Sequence, residues 1–194
     1  MNNQLQDCFN NVRDSQVAAL AHYQIWFTLR GNGKAIDTHL DDMNDYRYVD
    51  FFHAANSGNY KLMFIETAAL FDSDPNTNNM RTLKDHMRQN GLSALSDKFT
   101  DQLNVYSSLV SNIKAIRGKV IAHKEANVDP GGLYKKHGIK PDDIRDLLFK
   151  SGELLQELES VLNNNSGASS VAPTDRWERA TFNLLDALKA ERCS

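Results

Sequence analysis

No apolar run in this chain approaches the ~20 residues that a membrane-spanning helix needs. The opening Met-Asn-Asn-Gln-Leu-Gln-Asp has neither the basic nor the apolar region of a secretory leader. The expectation is a cytoplasmic protein that engages no membrane. Cysteine is scarce, with Cys8 and Cys193 near opposite ends of 194 residues. A pair so far apart reads as two free thiols rather than a disulfide framework. His22, His39, His53, His86, His123 and His137 show no zinc-ligand spacing, and two distant cysteines cannot complete a ligand set. Gly-x-Ser-x-Gly, Walker and dinucleotide fingerprints are absent. The sequence therefore calls for no metal and no cofactor. Four prolines and few β-branched runs leave little to interrupt helices or to build strands, so the fold class is all-α. An ordinary hydrophobic content of 41% excludes wholesale disorder and suits one domain with a real core.

The net charge of −3 argues against indiscriminate nucleic-acid binding. Its distribution is less even. Residues 114–140 hold Lys114, Arg117, Lys119, Lys124, Lys135, Lys136 and Lys140 against only Glu125 and Asp129. Seven cations against two acids make +5 there and leave −8 on the remainder. Such a patch suits a phosphate backbone, and it also suits a solvated helix end, where lysines complement the macrodipole.

The chain divides by its breakers. A first helix is expected from about Asn3 to Leu29, with Val17, Leu20, Ala21, Trp26 and Phe27 inward, stopped by Gly31-Asn32-Gly33. Residues 32–43 read as a polar loop. Asp37, Asp41 and Asp42 there lack calcium-loop spacing, so solvated carboxylates are the better reading than a cation site. Helices are expected over Tyr46–Ala55 and Tyr60–Phe71, separated by Ser57-Gly58-Asn59 and closed by Asp72-Ser73-Asp74-Pro75. A short helix over Asn79–Gln89 ends at Asn90-Gly91, and a long one runs from Ser96 to Lys124. Val128-Asp129-Pro130-Gly131-Gly132 is a turn. Without a preceding strand its glycines beside lysines make an ordinary connector rather than a phosphate cradle. Pro141-Asp142-Asp143 opens a helix to Leu162 in which Ile144, Leu148, Ser151, Leu155, Leu158 and Leu162 repeat in steps of four and three. This helix is expected antiparallel to 96–124 at the centre of the bundle. The division is a helical domain over 1–162, a linker over 163–173 and an amphipathic helix over 174–194. In that last helix Asp175 and Glu178 resemble a capping box, and Trp177, Leu184 and Leu188 mark one face.

The organising stretch is Ile113–Lys124, Ile-Lys-Ala-Ile-Arg-Gly-Lys-Val-Ile-Ala-His-Lys. Phe99, Leu103, Tyr106, Val110 and Ile113 lead into it with helical spacing, and the next seam positions are Arg117 and Val120. Three residues turn a helix by about 300°, so Arg117 and His123 sit roughly 60° to either side of Val120. Polar groups on the border of an inward face require water, a ligand or a partner there, because an unpaired buried guanidinium costs several kcal/mol. The chain matches the spacing three times, at Arg47…His53, Arg81…His86 and Arg117…His123. Only the third ends a long apolar helix.

Arg, four to six residues, then His at the end of a helix in a small all-helical chain resembles the signature of the HEPN superfamily. The wording Ile-Arg-x-Lys-x-x-Ala-His is most similar to its abortive-infection, AbiU-like branch. The aromatic segment His22–Phe27, Asp50-Phe51-Phe52 and Leu70-Phe71-Asp72 fit the same resemblance, which spans about residues 15–160. It implies a HEPN-like helical bundle with long antiparallel central helices. It further implies a homodimer whose Arg117 and His123 form a composite, metal-independent site for cutting RNA, with Lys119 and Lys124 beside it for binding. An antitoxin or a nucleotidyltransferase is the implied partner. One departure stands out: catalytic relatives carry Asn, Asp or His directly after the arginine, and here it is Gly118. The alternative is therefore a non-catalytic helical dimer that binds RNA, a nucleotide or a partner protein. A purely structural bundle would instead leave Arg117 and His123 paired with nearby acids.

Overall fold

A spacing of buried residues at Leu5, Cys8, Phe9, Val12, Gln16, Ala19, Leu20 and Tyr23 makes one unbroken stripe on the first helix, α1 (Asn3–Arg30). The computed structural model describes residues 3–30, 32–118, 138–163 and 173–193. Among these residues the chain forms only helices. After α1 come α2 (Gly33–Met43), α3 (Val49–Leu70), α4 (Met80–Gln89), α5 (Ser93–Asn104), α6 (Ser107–Ile116), α7 (Pro141–Leu162) and α8 (Arg176–Cys193). The all-α bundle is thus as expected. No helix among the described residues is long and apolar enough to cross a membrane.

The centre of the bundle is α1, which packs most extensively along α3 and next along α7. The aromatic segment sits on that first seam, with Trp26 5.4 Å from the ring of Tyr60. Of the inward positions expected on α1, Leu20 is buried, while Val17, Ala21, Trp26 and Phe27 are half-buried. Gln16 reaches across to α7 and donates to the Leu148 carbonyl at 3.0 Å. All six apolar-seam positions expected on α7 are buried. The helix expected over 96–124 meets α7 through α5, where Lys98 pairs with Glu157 at 2.6 Å, whereas α6 packs on α3.

Three elements differ from the sequence expectation. The polar loop of 32–43 is instead α2. Asn32 caps it by accepting the Lys34 N–H at 3.0 Å, and Ala35, His39, Asp42 and Met43 form its buried face. The helices expected at 46–55 and 60–71 are one, α3. The turn residues are overridden because Asn59 spends its side chain within the helix and on α1, donating to Ala55 O at 2.7 Å and accepting from His22 Nδ1 at 2.8 Å. The helix expected over 96–124 breaks at Val105–Tyr106. There the bonding tightens to a three-residue step, Tyr106 N–H to Leu103 O at 3.1 Å, and Val105 turns out to solvent.

The final helix shares the core rather than hanging from it. Leu185 of α8 joins Leu29, Ala35, Met43 and Phe52 in a second apolar cluster. Of the face marked by Trp177, Leu184 and Leu188, Leu184 is 45% exposed. Its first turn is capped from α1 and not by an Asp175–Glu178 box. Gln24 accepts from the Trp177 and Glu178 N–H groups and donates to the Thr174 carbonyl, while Glu178 accepts from Asn32. Cys8 is free and buried, its Sγ 3.7 Å from Thr82 Oγ1, and burial pushes its thiol up. The Cys193 side chain, linker residues 164–172 and the 128–132 turn lie outside the described residues.

Two glycines give opposite expectations. Gly58 lies within α3, and a Cβ added there meets nothing within 4 Å. Gly58→Ala should therefore stabilise by about 0.5–1 kcal/mol. Gly91 has φ 80° and ends α4 in a Schellman arrangement, with Leu92 N–H on Met87 O and Gly91 N–H on Arg88 O. Gly91→Ala should cost about 1 kcal/mol. Thermal melts of the two variants should move in opposite directions, and a shared sign would contradict these backbone assignments.

Candidate functional site

The apolar face of α6 fixes where Arg117 emerges. Ile113 and Ile116 are buried at 1% and 0% exposure, and each residue turns a helix by about 100°. Arg117 keeps helical geometry, φ −55° and ψ −48°, and its N–H bonds to the carbonyls of Ile113 and Lys114. One step past Ile116, its side chain stands in solvent rather than on the border of the inward face. Among the described residues its guanidinium has no ion pair and no hydrogen-bond partner. The pairing with nearby acids that a purely structural role calls for is missing there.

The other two arginines of the repeated spacing are occupied. Arg47 pairs with Asp45 at 3.0 Å and with Glu191 of α8 at 3.1 Å. The Arg47 guanidinium beside Asp45 holds that carboxyl below the usual carboxylate range. Binding a phosphate at Arg47 would mean displacing two carboxylates, which already neutralise it. Arg81 donates from Nη1 to the Ser73 carbonyl at 2.9 Å and so braces the turn before α4. Spacing alone brings these pairs together in sequence, and the fold gives the first two other work.

Gly118 follows in helical continuation, and a Cβ there meets nothing within 4 Å. No neighbour within the described chain demands glycine at this position. His123, Lys119 and Lys124 lie outside the described residues, as do Lys135, Lys136 and His137. Of the basic patch, Lys114 is half-buried while Arg117 and Lys140 are exposed. No group of three or more His, Cys, Asp or Glu among the described residues is placed to hold a metal.

A groove that the sequence pattern did not single out lies beside α6. It has a volume of about 260 Å³ and is lined by Arg81 and Lys84 of α4, Thr100 and Asn104 of α5, and Ser107 and Val110 of α6. Lys84 bonds Thr100 Oγ1 at 3.1 Å. Nothing in the local sequence marks this convergence, because it depends on how three short helices cross.

No curated protein and no solved structure matches the chain. The family model of the abortive-infection protein AbiU2, a HEPN family, matches residues 4–180. That span exceeds the resemblance carried by the motifs and reaches into α8. It brings with it a HEPN-type effector or phage-defence role. By this match over most of its length, the chain belongs to the AbiU2 family of HEPN proteins.

Proposed function

We propose that this chain is a metal-independent endoribonuclease effector, with Arg117 and His123 forming a composite site across a two-fold homodimer. The observation that supports it is the exposed guanidinium of Arg117, without a partner among the described residues, while Arg47 is neutralised by two carboxylates and Arg81 donates to the Ser73 carbonyl. An arginine in that state can grip a phosphate with its forked donors and stabilise the charge added in the transition state. A histidine titrates near neutrality. It can take the proton of a ribose 2′-hydroxyl or return one to the leaving 5′-oxygen. Two copies about an axis supply both an acid and a base, and Lys119 and Lys124 add positive charge beside them. An antitoxin or a nucleotidyltransferase is the partner class that would hold such an effector in check.

Cleavage should persist in chelator and leave cyclic phosphate ends, and an RNA with a 2′-deoxy sugar at the cut site should be inert. Sedimentation should show a dimer, because an isologous contact buries the same patch from both copies. A monomer at micromolar concentration would remove the composite site. Replacing Arg47 and His53 together should leave cleavage unchanged. A second reading has Gly118 in its favour: a HEPN-like dimer that binds RNA, a nucleotide or a partner protein without cutting. Wild-type protein that binds RNA and leaves it intact would select that reading.

A further inference from the structure

We infer that the groove between α4, α5 and α6 holds the backbone of single-stranded RNA on its way to Arg117. The inference rests on the proposed reading that Arg117 meets RNA. Two cations line this groove: Arg81 spends Nη1 on the Ser73 carbonyl and Lys84 bonds Thr100 Oγ1, and among the described residues neither has a carboxylate partner to neutralise it. The neighbouring Arg88, by contrast, is paired with Asp97 at 3.1 Å and Asp85 at 3.5 Å. The one acid on the rim, Asp72, turns its carboxylate to its own turn, accepting the N–H groups of Ser73 and Asp74.

Lys84 is half-buried, and burial, aided by Arg88 and opposed by Asp85, pushes its ammonium below the usual lysine range. An arriving phosphate relieves that penalty by adding countercharge. Thr100, Asn104 and Ser107 add neutral hydrogen-bonding groups, and the aromatic Phe71 also lines the groove. Cations that track a backbone beside an aromatic face are the elements of a single-strand platform.

The direction of the strand comes from helix geometry. Ser107, Val110, Lys114 and Arg117 are spaced three, four and three residues apart, which puts them on one stripe of α6. From Val110 at the groove to Arg117 the rise is about 10 Å. The groove therefore opens onto a line of positive charge that ends at the proposed cutting site.

Fluorescence anisotropy on the full chain tests the inference, using single-stranded RNA oligomers made uncleavable by 2′-deoxy sugars. Wild-type affinity should rise with oligomer length. Arg81→Gln and Lys84→Gln should each lose roughly three- to tenfold on the long oligomers and little on the shortest. Each should also flatten the dependence of log affinity on log salt by about 0.7. Lys84→Arg should keep both properties, and melting curves will show that the variants are folded. If Arg117→Gln weakens every length while the groove variants match wild type, the groove inference is overturned and the proposed function stands. If the groove variants lose only inorganic phosphate or a mononucleotide, the groove is a small-anion site and the inference is again overturned. Wild-type protein that binds no RNA at any length would end both.

Discussion

His123→Ala should lower RNA cleavage by ~10²–10⁴-fold while leaving the fold and the dimer intact. That range is what a positioned general acid or base contributes, and a histidine engaged only in packing would not produce it. Arg117→Lys should be comparably severe. A lysine keeps the charge but replaces the planar fork with a single point of contact. The structure makes this variant informative, since Arg117 is exposed and makes no described side-chain bond, so the substitution has little of the fold to disturb. A further variant separates two roles for position 118. A Cβ there meets nothing within 4 Å in the described chain. Gly118→Ala should thus leave the monomer's melting unchanged or slightly raised. Loss of the dimer in this variant would mean that two backbones meet at Gly118. Full cleavage by Arg117→Lys, measured by product on denaturing gels, would sink the assignment of Arg117.

The fold was legible where one face of a helix is apolar over many turns. On α7 every seam residue read from the sequence is buried, and α1 ends within one residue of the expected position. The misreadings share a cause. The inward face of α2 sets His39 and Asp42 between Ala35 and Met43, so polar residues interrupt its apolar stripe. Ser57-Gly58-Asn59 is a strong turn signal in isolation, yet the packing of α3 along α1 outweighs a glycine cost of about 1 kcal/mol. The break at Val105–Tyr106 is hidden because Leu103, Tyr106 and Val110 keep their step across it. The site divides the same way. Arg117 could be singled out by the helix before it, whereas Arg81 and Lys84 gain meaning only where α4, α5 and α6 converge.

The misread aspartates also set the largest stability effect expected here. Asp42 has a side chain 1% exposed, and its carboxylate accepts from His39 Nδ1 at 3.2 Å and Arg192 Nε at 2.7 Å. His39 is 4% exposed, and its other nitrogen lies 3.3 Å from Asp186 of α8. One buried carboxylate thus ties α2 to the end of the last helix. Among the described residues, Asp42→Ala leaves His39 buried beside a single acid, Asp186, and leaves Arg192 with only Asp41, 3.9 Å away. Breaking a buried pair from one side costs roughly 3–5 kcal/mol. Arg192 is 38% exposed and can turn to water, so the low end, about 3 kcal/mol, is the better figure. For a chain of this size that corresponds to a melting temperature lower by about 6–12 °C. Asp41 is the matched control: it is 82% exposed, and Asp41→Ala should fall within about 0.5 kcal/mol of wild type. Limited proteolysis should release the α8 segment first from Asp42→Ala and not from Asp41→Ala. Equal melting of the two variants would mean that Leu185, the Gln24 cap and the remaining polar ties such as Arg47–Glu191 hold α8, and that the buried carboxylate adds nothing.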